Sequence, residues 1–442
     1  MKNIGILGGG ASGVLAALFL DKKQFTYEVL EAKANLGGHA SSIFDRGYVF
    51  DYGPHIMFSK DKEILDFMIR SLGENVHRCT RHNKVYFKDR LVKYPFENDL
   101  NSLPLQDNYE CLMGYIYNPY REEYANPANL REWLLKVFGK GICERYLFPY
   151  NEKVWNLPVD QLSMFWADRI PNPPKEDIIK SALGFETEGY LHQLYYHYPR
   201  NGGYQAITEA WAQRINKPTT EFPIKQVNRL SDGKYEIVSG NRKKTFDQLI
   251  STLSIHDFIE IATFEIPSHV RKAAKNLIVN PMYVINFGIK GVDKNQYTAI
   301  YFPDPEFYVN RLSFPATFSP ENAPQGHYSV QAEITCRPDS KTWNMSEKDI
   351  LAHVKQGLKV RGLLPTSDTE IVYEEVVRSK YSYVVYDVHF QKNADIIRSW
   401  FPSVGIHLLG RFSYFEYINI DGAVHRAREI VGGINGAKVE LT

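Results

Sequence analysis

Apolar and polar positions alternate along the chain in blocks, and the first block sets the reading. Asn3–Leu7 (NIGIL) is a short apolar run with strand character, and Gly8-x-Gly10-x-x-Gly13 follows at once. Val14–Leu20 then continues as an apolar helical run, and a second strand is predicted over Tyr27–Leu30, ending at Glu31. Strand, glycine turn, helix, strand and acid in this order form the dinucleotide-binding βαβ pattern. Gly8 suits the tight turn, Gly10 lets backbone amides approach a pyrophosphate, and Gly13 lets helix and strand pack closely. Ala11 and Ser12 open the helix whose N-terminus faces the diphosphate, and Glu31 is placed to accept from ribose hydroxyls. An acid rather than an arginine at position 31 argues against a 2′-phosphate.

Further along, KVYFKDRLVKYPF alternates as a strand pair with an Asp-Arg turn. Residues 98–189 carry a helical pattern punctuated by prolines, with LREWLLKVFGKGICERYLF amphipathic. YPRNGGYQAITEAWAQRI reads as a glycine turn feeding a helix, and FPIKQVNRL, GKYEIVSG and FDQLISTLS as strands returning to the nucleotide lobe. Pro281–Tyr386 holds several β-rich runs, expected as a mostly antiparallel sheet. The chain closes with a strand, a loop and a helix from about Ala423.

These blocks predict an α/β architecture: a Rossmann-like nucleotide-binding domain with an inserted helical lobe and a mostly antiparallel β-sheet substrate domain. The nucleotide lobe is assigned residues 1–97, 198–265 and 401–442, the helical lobe 98–197 and the sheet domain 266–400. No repeat or low-complexity run interrupts them. No second GxGxxG follows a strand, so a separate NAD(P)H domain is not expected.

Composition narrows the chemistry. The 442 residues carry 52 basic and 51 acidic side chains, a formal net charge of +1. That balance gives no electrostatic footprint for nucleic acid or a membrane surface. Cys79, Cys111, Cys143 and Cys336 lie far apart and form no CxxC pair, so a reducing, cytoplasmic setting is expected and a zinc site is not. The run Val14–Leu20 is too short to span a bilayer, and no membrane span or signal peptide is expected.

The stretch LEAKANLGGHASSIFDRGYVFDYGPHIMF resembles the flavoprotein group that includes amine oxidases, protoporphyrinogen oxidase, phytoene desaturase and UDP-galactopyranose mutase. The resemblance implies FAD. It places Gly37-Gly38 against the flavin diphosphate, and the segment from Asp51 through Gly53 to His55 beside the isoalloxazine ring. It also implies that Val227 meets the adenine, that Arg411 lies near flavin or pyrophosphate, and that Asp421 and the closing helix lie at the ribityl-diphosphate. His39 departs from the Arg, Asn or Trp usual after the glycine pair.

Over nearly the full length the chain resembles UDP-galactopyranose mutase, in particular its eukaryotic-like branch. YGPHIMFSKDKEI, VKYPFENDLNSLP and PYNEKVWNLPVDQLS carry this resemblance. So do Arg169 in FWADRIP and Arg311 in FYVNRLSF, which it implies bracket a sugar-nucleotide diphosphate. Tyr383 and Tyr417 are implied to donate to that diphosphate. Tyr204 and Trp155 are implied pocket-wall positions, Trp155 on a mobile loop near the nucleobase. Phe318, where the branch has Tyr, and a two-residue insertion before Arg311 are departures.

The resemblance implies a redox-neutral exchange of pyranose and furanose forms of an NDP-hexose, through a covalent adduct of reduced flavin N5 with the anomeric carbon. His55 would lie against the flavin and tune it. It further implies a nucleotide-sugar substrate, NAD(P)H or another reductant to keep FAD reduced, a place in cell-surface polysaccharide biosynthesis, and a possible homo-oligomer. An FAD-dependent oxidase or desaturase, or a flavin-binding protein without mutase activity, remains open from the residues alone.

Overall fold

The computed structural model describes residues 1–187 and 194–441. Residues 188–193, assigned above to the helical lobe, lie outside the described residues. The first strand, Lys2–Leu7, is central to a four-stranded parallel sheet. Its order is Ile406–Leu408, Gln248–Ser251, Lys2–Leu7, Phe25–Leu30. Central strands of a parallel sheet are buried on both faces, which is why NIGIL lacks alternation. Ile4, Ile6 and Leu7 are fully buried. Helices Ala11–Phe19 and Ile420–Asn435 pack together beside this sheet. The closing helix starts at Ile420, three residues before the expected Ala423, because Asn419 already adopts the extended conformation of a cap.

The second layer is a seven-stranded sheet. Its order is Ile371–Val385, Ile278–Lys290, His327–Thr335, Arg311–Ser313, Ala299–Tyr301, Asn83–Phe87, Arg90–Lys93. All neighbours are antiparallel except Ala299–Tyr301 with Asn83–Phe87. Residues 83–93, assigned by sequence to the nucleotide lobe, therefore extend the substrate sheet. Their turn sits at Lys88-Asp89, with φ of 46° and 59°, rather than at Asp-Arg. Two left-handed residues make a turn whose twist matches the flanking strands. Helices Ser268–Asn276 and Phe390–Ser403, assigned to the sheet domain, instead pack on each other, and the second of them packs on Ile406–Leu408 at the edge of the nucleotide sheet.

Along His327–Thr335 one face carries Val330, Ala332 and Ile334 into an apolar core. The other face carries Ser329, Gln331, Glu333 and Thr335, all buried as well. A strand with one buried polar face roofs something polar, and here it roofs the site.

The helical lobe contains Leu105–Ile116, Leu130–Ile142, Phe148–Trp155 and Lys175–Ala182. Among the described residues no helix is long and apolar enough to cross a membrane. At the root of this lobe Glu97 is 1% exposed, and its Oε1 has no hydrogen-bond partner. Burial pushes its pKa up to about 8. The folded chain thus keeps a proton that the unfolded chain releases. The stability this gives is complete below the ordinary carboxylate range and is lost as pH rises through about 8. Glu97→Gln is expected to melt higher than the parent at pH 8, with the gap closing toward pH 5; thermal unfolding at the two pH values measures it.

Candidate active site

Two cavities meet at the C-terminal end of the first parallel strand. Gly8 turns the chain with φ +102°, and a Cβ on Gly13 would lie 2.0 Å from the Gly8 carbonyl oxygen. The helix therefore starts against the strand end with no room for a side chain. The second glycine pair touches the first turn directly. Gly37 N–H donates to the Gly9 carbonyl at 2.9 Å, and a Cβ on Gly38 would stand 3.0 Å from the Gly10 Cα. Backbone thus forms both sides of a cavity of about 240 Å³, which Ala11, Ser12 and Glu31 also line. Glu31 Oε2 accepts from Gly9 N–H at 2.7 Å and Oε1 from Lys33 N–H at 2.9 Å, which fixes the carboxylate at the cavity wall. Bare backbone on two sides, a helix N-terminus and an oriented acid fit an extended dinucleotide.

The second cavity, of about 230 Å³, shares His39, His55, Tyr204 and Arg411 with the first. His55 stacks on Tyr204 with ring centroids 5.1 Å apart, and Tyr204 Oη donates to the Ile56 carbonyl at 3.0 Å. Burial, with Arg411 adding to it, holds the His55 pKa down to about 3, so this ring is neutral near pH 7. Behind it lies Asp51, the first residue of the segment expected beside the isoalloxazine ring. Its carboxylate accepts from Ser42 Oγ at 2.6 Å, Tyr198 Oη at 2.8 Å and Tyr204 N–H at 2.9 Å. Burial raises its pKa to about 6 despite these three donors. Asp51 is the bracket that holds the His55–Tyr204 stack.

Arginines dominate the opposite wall. Arg311 donates from Nε and Nη2 to the two oxygens of Glu333, at 2.5 and 2.9 Å. Glu333 is 1% exposed, and its Oε1 is 2.8 Å from where a Gly53 Cβ would stand, so Gly53 is the residue that admits this pair. Arg411 is pinned by the Ile418 carbonyl, at 3.0 Å from Nε. Tyr383 and Tyr417 stack at 5.8 Å, and the Arg411 guanidinium lies 5.0 Å from the Tyr417 ring centroid. Among the described lining residues, the guanidiniums of Arg311 and Arg411 outnumber the single carboxylate Glu333, and Arg81 stands at the edge.

The structure corrects three site expectations. Arg169 does not join the wall: it ends the turn Met164–Arg169, is exposed, bonds the Tyr417 carbonyl and rests 4.9 Å from that ring. The guanidinium that converges with Arg311 on the cavity is Arg411 instead, and Arg311 itself is clasped by an acid. Trp155 is not on a loop; it ends helix Phe148–Trp155, 8% exposed, stacked on Trp166 at 3.7 Å and edge-on to Tyr383 and Tyr417. It backs the wall rather than lining it. Phe318 packs behind the wall on Tyr196 and Tyr198, so the missing hydroxyl there does not change the cavity.

Two more predicted positions lie off the walls. Val227 is fully buried in strand Gln226–Arg229, its carbonyl taken by Thr263 N–H at 3.0 Å. Asp421 sits in the first turn of the closing helix without lining either cavity, and burial raises its pKa. Arg81 and Glu333 line the cavity without having been expected there. Glu333 had a signal, the alternating polar positions Ser329, Gln331, Glu333 and Thr335 inside a strand otherwise bound for the core.

A glycine cradle on a parallel sheet, opening into a cationic cavity under an antiparallel sheet, defines a Rossmann-like dinucleotide-binding protein. The sequence model of the NAD(P)-binding Rossmann-like domain matches residues 6–70. The whole structure superposes on a crystal structure of reduced UDP-galactopyranose mutase with a TM-score of 0.90, at 23% identity, covering 99% of this chain and 94% of that one. The resemblance read from the motifs therefore holds at the level of the fold. Among curated proteins, the phytoene desaturase of Fusarium fujikuroi is 22% identical over 379 residues, 74% of this chain and 65% of that protein. The UDP-galactopyranose mutase of Mycoplasma pneumoniae is 22% identical over 261 residues, 54% of this chain and 59% of that protein. The chain thus spans less than two thirds of the length of these curated relatives.

Proposed function

We propose that the protein is an FAD-dependent nucleotide-sugar mutase that interconverts pyranose and furanose forms of an NDP-hexose, UDP-galactose or a close relative. The observation that carries this reading is the net positive cavity walled by Arg311, Arg411, Tyr383 and Tyr417, sharing His55 and Tyr204 with the dinucleotide cradle. Gly8, Gly10, Gly37, Gly38 and Glu31 would hold FAD, and the fit rests on the bare backbone at the Gly10–Gly38 contact. Reduced FAD, when bound, supplies the nucleophile for the sugar carbon.

The chain's own residues do the rest. Arg311 and Arg411 offer planar paired donors to phosphate oxygens, and each charge-assisted bond contributes about 1.5–3 kcal/mol. Held in place by Glu333 and the Ile418 carbonyl, they need not reorganise as charge develops on the departing nucleoside diphosphate. The same donors keep that diphosphate beside the sugar for the return step. Arg81 is shared with a neighbouring groove of about 480 Å³ that also presents Lys84 and Lys93, a basic approach for an anionic substrate. NAD(P)H or another reductant would reduce the flavin through the same openings.

An oxidase or desaturase acting on an apolar substrate is the second reading, favoured by the length of the phytoene desaturase match. Three guanidiniums around the cavity oppose it, because burying them against hydrocarbon forfeits their solvation. Trp155 and Trp166 touch the Tyr383–Tyr417 stack, so their emission reports occupancy. UDP-galactose is expected to change this fluorescence saturably, with an affinity that falls as salt rises. Response to an apolar polyene and none to UDP-, dTDP- or GDP-sugars would sink the mutase reading in favour of the second.

A further inference from the structure

His39 follows the Gly37-Gly38 cradle in the turn Gly38–Ala40 and lines both cavities where they meet. Its Nε2 lies 2.6 Å from the Tyr381 carbonyl oxygen. A carbonyl can only accept, so Nε2 carries the proton and Nδ1 keeps the lone pair. The ring packs at 5.1 Å on Phe412, which fixes its plane.

The charged groups around it are one-sided. Arg411 comes from the turn after Gly410 and Lys33 from the loop after the second strand, both positive, and neutral His55 comes from the segment after Gly53. The nearby acids are engaged elsewhere. Glu31 accepts from the Gly9 and Lys33 amides, and Asp257 from Tyr381 Oη at 2.6 Å and Lys380 Nζ at 2.9 Å. Among the described residues no carboxylate bonds His39. The side chain is exposed to the open cleft, and such burial as it has, followed by the Arg411 charge, lowers its pKa below the ordinary imidazole value. At His55, burial and then Arg411 likewise lower the pKa, with Arg311 adding to them.

We propose that His39 is a proton-accepting anchor for the bound dinucleotide, taking up one proton at Nδ1 when the negative diphosphate of FAD enters the cleft. The inference rests on the reading of that cleft as an FAD site. The proton comes from solvent, the ring changes from neutral to +1, and no bond of the ligand is made or broken. A dianion offsets the Arg411 and Lys33 charges that disfavour the protonated ring, so binding and protonation favour each other.

The test is calorimetric titration of apoprotein with FAD at pH 6 to 8 in buffers of different ionisation enthalpy. The wild type is expected to show an enthalpy that depends on the buffer, corresponding to uptake of up to one proton, and affinity rising by up to tenfold per pH unit lowered. His39→Gln, whose amide nitrogen extends to the Nε2 position and keeps a donor for the Tyr381 carbonyl, and His39→Asn, which does not, are both unable to titrate and are expected to bind FAD with a buffer-independent enthalpy. Proton uptake that survives in both variants, or its absence in the wild type, overturns the inference and leaves the FAD reading standing. No FAD binding by the wild type overturns both.

Discussion

Arg311→Ala is expected to lower kcat/KM for the sugar nucleotide by about a thousandfold, because two charge-assisted bonds of about 1.5–3 kcal/mol each are lost together. The same change strips the partner from Glu333, which is 1% exposed and accepts both of its charged hydrogen bonds from Arg311. A buried carboxylate left unpaired costs about 3–5 kcal/mol of stability. The two effects separate in the double variant Arg311→Met with Glu333→Gln. It removes both charges, so it is expected to regain most of the stability and none of the activity. Denaturant unfolding and steady-state kinetics on the three proteins measure this. An Arg311→Ala protein with unchanged kcat/KM would show that the cavity does not use its guanidinium.

Gly13→Ala carries the second large effect. Its Cβ would stand 2.0 Å from the Gly8 carbonyl oxygen, and that atom is backbone in the phosphate-facing turn, not the tip of a flexible side chain. The helix must move off the strand end. Overpacking of this kind costs about 1–3 kcal/mol, and here the shift also opens the contact between the Gly8–Gly10 turn and Gly37-Gly38. FAD affinity is expected to fall about a hundredfold, with a smaller fall in thermal stability. Fluorescence titration of apoprotein with FAD reads the first, and circular dichroism melting the second. Unaltered FAD affinity would mean that the turn is not where the dinucleotide sits.

Much of this arrangement was legible because backbone requirements leave a mark on sequence. NIGIL is followed by Gly8 and Gly13, and then by the pair Gly37-Gly38, at positions where a positive φ or a close backbone neighbour demands glycine. The strand runs of the substrate sheet were legible for the same reason that any alternation is, since one side of each strand must enter the core. Side-chain direction left no such mark. Arg169 and Arg411 both sit in irregular segments, and nothing in FWADRIP or GRFSYFEYINID says which guanidinium enters the cavity.

Glu333 was hidden for another reason. In an antiparallel strand, alternate polar residues ordinarily face water, so the alternation of Ser329, Gln331, Glu333 and Thr335 marks one polar face without saying what covers it. In the fold that face is covered by the segment around Asp51 and Gly53 and by the helix end at Lys153, with Gln331 Nε2 donating to the Asp51 carbonyl at 2.8 Å and Thr335 Oγ1 to that of Lys153 at 3.1 Å. The long connections that bring residues 83–93 to the far edge of the sheet were invisible too, because pairing between distant strands depends on the whole topology and not on any local pattern.

A cationic cavity beside a flavin, if it exchanges sugar rings as proposed, does so without net oxidation. The direct measurement is to load the protein with FAD, reduce it with dithionite, add UDP-galactofuranose or UDP-galactopyranose, and separate the nucleotide sugars chromatographically. Conversion of one ring form into the other is expected with reduced flavin only, with no oxygen uptake. Unchanged sugar nucleotides across the UDP, dTDP and GDP series, together with an oxidised flavin that an apolar substrate bleaches, would contradict it.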